Sequence, residues 1–100
     1  MTGQIEQRLA ALGITLPTPT SPQANYVPTV LTGNQLFVSG QTPMTDGRLK
    51  YRGRVGADVS LADAQAAARV CAINILAQVK AALGDLDRLD RAVKVLGFVH

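Results

Sequence analysis

The 100-residue sequence contains a single cysteine, a single histidine, no tryptophan and 4% aromatic residues. One cysteine excludes an intrachain disulfide and any zinc cluster built on cysteines, and it fits a reducing compartment. His100 is the only histidine and it is terminal, so a Ser-His-Asp triad or a histidine-based metal centre would have to depend on it alone. Both are rejected. With so few aromatics, the apolar mass is Ala, Val and Leu and the packing is aliphatic. Charged residues are also scarce, at 17% against an average of about 25%. Yet 47% of the chain is hydrophobic. Too few charges are present to cover that apolar surface, which predicts that part of it is buried in an oligomer. No unbroken run of eighteen apolar residues occurs, and residues 1–12 are polar and amphipathic rather than signal-like. The chain therefore reads as cytoplasmic, with no membrane partner. Its net charge of +3 permits anionic ligands without requiring nucleic acid.

One hundred residues make one domain, in which roughly 60–65% of the unfolded surface is buried. Ile5, Leu9 and Leu12 fall at helical spacing, and Gly13 is placed to end that short helix. Four prolines, Pro17, Pro19, Pro22 and Pro28, mark residues 14–28 as extended and irregular. Gly33-Asn34, between Val30-Leu31 and residues 36–39, signals a tight hairpin. Asp46-Gly47 signals a second turn, followed by an extended run over 49–55. The clearest element is a helix over Leu61–Leu83, with Ser60 as N-cap, Asp63 near its positive end and Gly84 at C′. Leu61, Ala64, Ala68, Cys71, Ile75, Val79 and Ala82 form its expected buried face, widened by Ala67, Val70, Ile73, Leu76 and Leu83. After a polar connector at 87–90, residues 92–99 read as a final strand, with Val93, Val95 and Phe98 among its apolar positions. Strands, then a long helix, then a strand suggest an α+β fold with helices on one sheet face.

The apolar run Leu36-Phe37-Val38 ends abruptly in Ser39-Gly40-Gln41, followed by Thr42-Pro43. Asn25-Tyr26-Val27-Pro28 lies upstream. The helix pattern running from Gln65 through Asn74 to Leu83, and Ala92-Val93-Lys94-Val95, lie downstream. Ser-Gly-Gln alone is a weak signal, because strands often end in such residues. The ordered set resembles the reactive-intermediate deaminase (RidA/YjgF) family over nearly the whole chain. The residues at 56–58 and 66–72 look like its less well-defined branch.

That resemblance implies a chorismate-mutase-like mixed sheet with helices on one face, assembled as a homotrimeric barrel with clefts between subunits. It implies hydrolysis of reactive enamine or imine intermediates, such as 2-aminoacrylate, to a keto acid and ammonia. Tyr26 matches the family's cleft tyrosine. Ser39 and Gly40 match the lining of the pocket floor, and Gln41 completes the expected substrate-binding set. The family's carboxylate-pairing arginine and water-positioning glutamate belong to a strand-helix-strand segment that would follow residue 100. The resemblance thus presents the chain as lacking its C-terminal segment, and assigns neither role to another Arg or Glu. It implies no cofactor and no metal, and the expected partners are further copies of the chain and a small carboxylate-bearing imine or keto acid.

The chemistry is undemanding. An imine is already electrophilic, so a protein need only hold the carboxylate, place a water and move a proton. A bidentate arginine suits the first task, Tyr and Ser hydroxyls the second, and the amide of Gly40 can approach a ligand closely. Simpler readings stand beside these. Ser39-Gly40-Gln41 could be strand-end turn chemistry, and Tyr26 an edge aromatic packing over Pro28. Cys71, mid-helix, reads as a packed and inert thiol. Arg48, Lys50, Arg52 and Arg54 alternate and would share one strand face. A solvated edge protected by like charge is favoured over an RNA stripe, since only Tyr51 supplies a nearby aromatic for stacking. Asp85, Asp87 and Asp90 read as a solvated turn rather than a metal site. Three functions therefore compete: an enamine/imine deaminase, a non-catalytic trimeric carboxylate-binding module and, trailing both, an RNA-binding or RNA-cleaving protein of the translation-inhibitor type.

Overall fold

A computed structural model describes residues 3–19 and 24–100; Pro22, within the expected irregular stretch, lies outside the described residues. The order is α1 (Gln4–Ala11), β1 (Thr29–Thr32), β2 (Gln35–Val38), β3 (Met44–Thr45), β4 (Arg48–Leu49), α2 (Leu61–Leu83) and a 3₁₀ turn (Leu86–Arg88). The fold is α+β.

The helix boundaries follow local chemistry. Ser60 Oγ accepts the Asp63 amide hydrogen at 3.1 Å, which supplies one of the donors that a helix start leaves unpaired. At the other end Gly84 adopts φ +81°, and its N–H donates to Lys80 O at 2.7 Å. Arg88 then donates from Nη1 to Leu83 O at 2.8 Å, satisfying a last-turn carbonyl with a cation at the negative helix end. By length and composition α2 could cross a membrane. Its middle nevertheless buries two amide side chains, Asn74 and Gln78, and the helix contacts β1, β2 and β3.

Helix α1 has no side-chain cap from its own N-cap, Gly3. Its first amides are capped across the fold: Asp87 Oδ2 accepts from Gln4 N at 2.7 Å and Oδ1 from Ile5 N at 2.9 Å. Asp85 in turn accepts the Asp87 amide hydrogen at 2.9 Å. The expected polar connector is therefore a structural clamp. A Cβ at Gly3 would lie 2.8 Å from carboxylate oxygens of both aspartates, so any side chain there would push these carboxylates from their present places. Lys80 pairs with Glu6 at 3.2 Å, adding a link between α1 and α2.

The core gathers Leu9 of α1, Val79 of α2 and the fully buried Leu86, with Ile5, Ile14, Leu16, Leu36, Val38, Ile75, Leu76, Leu83 and Leu89 packed around them. Strands β1 and β2 form an antiparallel hairpin pairing Thr29 with Val38, Val30 with Phe37, Leu31 with Leu36 and Thr32 with Gln35. Because side chains alternate, Leu36 and Val38 face the core while Val30 and Phe37 share the opposite face. That pair is exposed, at 51% and 58%. The turn follows the sequence signal, with Gly33 at φ +57°.

Several expectations are corrected. Strands β3 and β4 form a second, separate two-stranded antiparallel sheet, so the described residues show two hairpins in place of one mixed sheet. The run over 49–55 is a strand only at Arg48–Leu49, and Val55 makes an isolated parallel bridge with Val59. Residues 92–99 form no strand. Val93, Val95 and Phe98 are 79–88% exposed, and just past the segment Val55 N donates to His100 O at 2.8 Å. A strand needs a neighbour to pair its backbone groups, and among the described residues no strand runs beside this segment. The expected face of α2 is only partly covered: Val79 is buried and Ile75, Leu76 and Leu83 pack on the core, but Leu61, Ala68 and Ala82 are exposed, and the buried set also takes in Asn74, Ala77 and Gln78.

The chain leaves much of itself uncovered. Its accessible surface is 7756 Å². A folded monomer of its 10.5 kDa mass would expose about 5,400 Å². Among the described residues, the buried apolar set is Leu9, Val59, Ala77, Val79 and Leu86.

Candidate functional site

Strand β2 stops at Val38, and the chain turns at Ser39. That turn is held from the preceding segment: Ser39 N and Oγ both donate to Pro28 O, at 2.9 and 3.1 Å. The Ser39 hydroxyl proton is thus engaged by a backbone carbonyl, which makes Ser39 an anchor rather than a nucleophile. The same bonds bring residues 26–28 alongside the loop. Tyr26, two residues before Pro28 and so within about 7 Å of it along the chain, is 43% exposed. The bond between Pro28 and Ser39 thus draws together two of the sequence segments that carried the family resemblance.

Gly40 is exposed at the crest of the loop. Among the described residues nothing bonds its amide, and an added Cβ would meet nothing within 4 Å. Its φ is not left-handed, so neither backbone strain nor crowding within the chain requires glycine there. Gln41 folds back, donating from Nε2 to Ser39 O at 3.2 Å. The loop then closes on α2. Asn74 Nδ2 donates to Thr42 O at 2.9 Å and to Met44 O at 3.0 Å, and Met44 N bonds back to Thr42 O at 2.8 Å. That last i→i+2 bond makes a γ-turn on Pro43, whose ring already fixes a suitable φ.

The four sequence-predicted residues thus sit around one loop or beside its anchor. The arrangement presents a backbone donor with clear access between two pinned ends. It can receive a small polar ligand. Asn74 was part of the sequence pattern but carried no predicted role. Its signal was an amide side chain placed four residues before a second one, Gln78, in an otherwise apolar helix face.

Other candidates separate from this loop. Cys71 is half-buried and burial holds its thiol above the ordinary value, against a smaller lowering by a backbone hydrogen bond, so it stays protonated and unreactive. Arg48, Lys50, Arg52 and Arg54 are all exposed, but the strand that would align them ends at Leu49. Lys50 Nζ instead sits 5.4 Å from the Tyr51 ring centroid, and Arg54 N donates to Asp58 Oδ2. Among the described residues no group of three His, Cys, Asp or Glu side chains could hold a metal ion.

An α+β domain with a hairpin that ends in an open Ser-Gly-Gln loop, backed by one long helix, defines a class of small chorismate-mutase-like proteins. The chain belongs to the family described as "YjgF/chorismate mutase-like, putative endoribonuclease", whose model matches residues 6–100. It is 46% identical over 98 residues to Protein TCP17 of Trypanosoma cruzi, covering 98% of this chain and 61% of that protein. Among solved structures it resembles one described as a "putative endoribonuclease" from Shewanella oneidensis, with TM-score 0.82 and 41% identity over 86% of this chain and 57% of the other. It also resembles Atu1372 of Agrobacterium tumefaciens, described as of unknown function, with TM-score 0.70 and 58% identity over 82% of this chain and 48% of the other. The chain therefore spans about half to three-fifths of the length of these relatives.

Proposed function

We propose that the Ser39-Gly40-Gln41 loop is the floor of a small-carboxylate site in a cleft between copies of the chain, and that the assembled protein hydrolyses reactive enamine or imine intermediates of the 2-aminoacrylate type. The observation that carries this reading is Gly40: an exposed loop amide with open space before it, between two anchored ends. A small oxygen or nitrogen ligand fits such a donor. Tyr26 and Gln41 supply polar atoms beside it. In the reaction, water adds to the imine carbon, the carbon–nitrogen bond then breaks, and ammonia leaves as the keto acid forms. The carboxylate-holding arginine and the water-positioning glutamate belong to the segment that the family resemblance puts beyond residue 100.

Assembly supports the reading from a separate direction. The surface excess, the exposed Val30–Phe37 pair and the uncovered Val93, Val95 and Phe98 form apolar area of the kind that marks contact surfaces. A homotrimer is the arrangement we favour, in the cytoplasm, where the single protonated thiol of Cys71 is at home.

The test is ammonia release from freshly generated 2-aminoacrylate. Acceleration over buffer is expected, and equal rates with and without protein would remove the catalytic reading. One observation favours a second reading, that of a non-catalytic carboxylate-binding module: Ser39 spends its proton on Pro28 O. That reading predicts that pyruvate raises the melting temperature while ammonia release stays at the buffer rate.

A further inference from the structure

We propose that Asn74 is a positioning residue for the candidate loop, setting the place of Gly40 and Gln41 from the middle of α2. This inference rests on the loop being the ligand site. Asn74 is only 3% exposed. Both hydrogens of its amide nitrogen are committed, one to Thr42 O at 2.9 Å and one to Met44 O at 3.0 Å. These carbonyls flank Pro43, which has no N–H of its own to help fix the turn. At the other end Ser39 is tied to Pro28 O by two bonds. Residues 39–42 thus form a short span clamped at both ends, with Gly40 and Gln41 between the clamps.

The choice of residue is informative. Asn is a poorer helix former than Ala, and burying an amide is favourable only when its hydrogens find acceptors. Leucine or alanine would pack α2 against the hairpins without that requirement. Apolar packing is non-directional, however, and leaves a loop free to slide over a helix. Hydrogen bonds have narrow distance and angle preferences and fix the register. The amide therefore supplies registration of the loop on the helix, which packing alone does not.

The experiment uses the full, isotopically labelled chain. The wild-type side-chain amide hydrogens of Asn74 are expected to exchange slowly with solvent; rapid exchange would overturn the assignment. In Asn74→Ala, the backbone resonances of Gly40 and Gln41 should broaden or split, and the pyruvate dissociation constant should rise at least tenfold. Amides early in α2 should remain as protected as in wild type. Asn74→Ser, which restores one donor, should recover part of both effects, and it serves if the alanine variant does not fold. Unchanged Gly40 and Gln41 signals in a folded Asn74→Ala or Asn74→Ser variant would overturn the proposal. If the wild type itself takes up no pyruvate, the functional reading falls on its own. The loop resonances then decide the role of Asn74: broadening supports it and no change overturns it.

Discussion

The carboxylate of Asp87 accepts the backbone amide hydrogen of Gln4 at 2.7 Å, across eighty-three positions of sequence. With the Ile5 amide as second donor, Asp87 caps a helix to which it does not belong. The bonds to Ile5 and then Gln4 hold its carboxyl below the ordinary value of 3.8, against a slight opposing effect of desolvation. A lowered folded-state value means the ionised form is favoured by folding. Its contribution is complete above the unfolded value and disappears as pH falls through the folded one. The melting temperature is therefore expected to fall more steeply below about pH 4 in wild type than in Asp87→Asn. Superimposable pH profiles would show that the cap does not couple α1 to the fold.

Gly3 serves the same junction. A side chain at this position meets both aspartate carboxylates at 2.8 Å. In Gly3→Ala the aspartate carboxylates must shift, which is expected to weaken the cap, with a lower melting temperature and faster amide exchange in α1. Thermal unfolding and hydrogen exchange would both register this, and an unchanged profile would mean that the aspartates move aside freely.

Gly40 separates stability from ligand access. Its added Cβ meets no atom within 4 Å, so Gly40→Ala is expected to leave unfolding free energy within about 0.5 kcal/mol of wild type. The same methyl group stands in front of the loop amide. Pyruvate-induced stabilisation should be lost in this variant, as seen by thermal shift. Retained stabilisation would move the binding site away from this loop.

Phe37 and Val30 are cross-strand partners on the outer hairpin face. Phe37→Asp should leave the protomer folded, because the side chain is 58% exposed, yet shift sedimentation to a smaller species. An unaltered sedimentation coefficient would place the subunit contact elsewhere.

Among the described residues, Leu86 is the one large side chain that is completely buried. It joins α1 to α2 from a turn that the sequence presents as polar. Leu86→Ala should cost about 2–5 kcal/mol in denaturant unfolding, the range for a truncated core leucine. A smaller loss would mean that the small core collapses around the gap.

What was legible in advance was local. Ser60, Gly84, Gly33 and Asp46-Gly47 signal their caps and turns through chemistry confined to a few neighbouring residues, and the structure uses all of them. Helix α2 runs over the residues its pattern predicts. The expected strand over 92–99 did not form, although its composition suits one. Composition proposes a strand, but only an adjacent strand satisfies the backbone. The alternating cations after Leu49 fail as a stripe for a similar reason, because alternation becomes a face only where the chain stays extended.

The amino-acid order by itself determined the helices, the tight turns, the aliphatic packing and the family kinship, because each depends on residue type and short spacing. Tertiary structure alone decided that Asp87 caps α1, that Pro28 holds Ser39, and that Asn74 grips the carbonyls on either side of Pro43. These are directional hydrogen bonds between residues eleven to eighty-three positions apart. Directional bonds at such separations follow from how the elements pack, and no local pattern of residues encodes them.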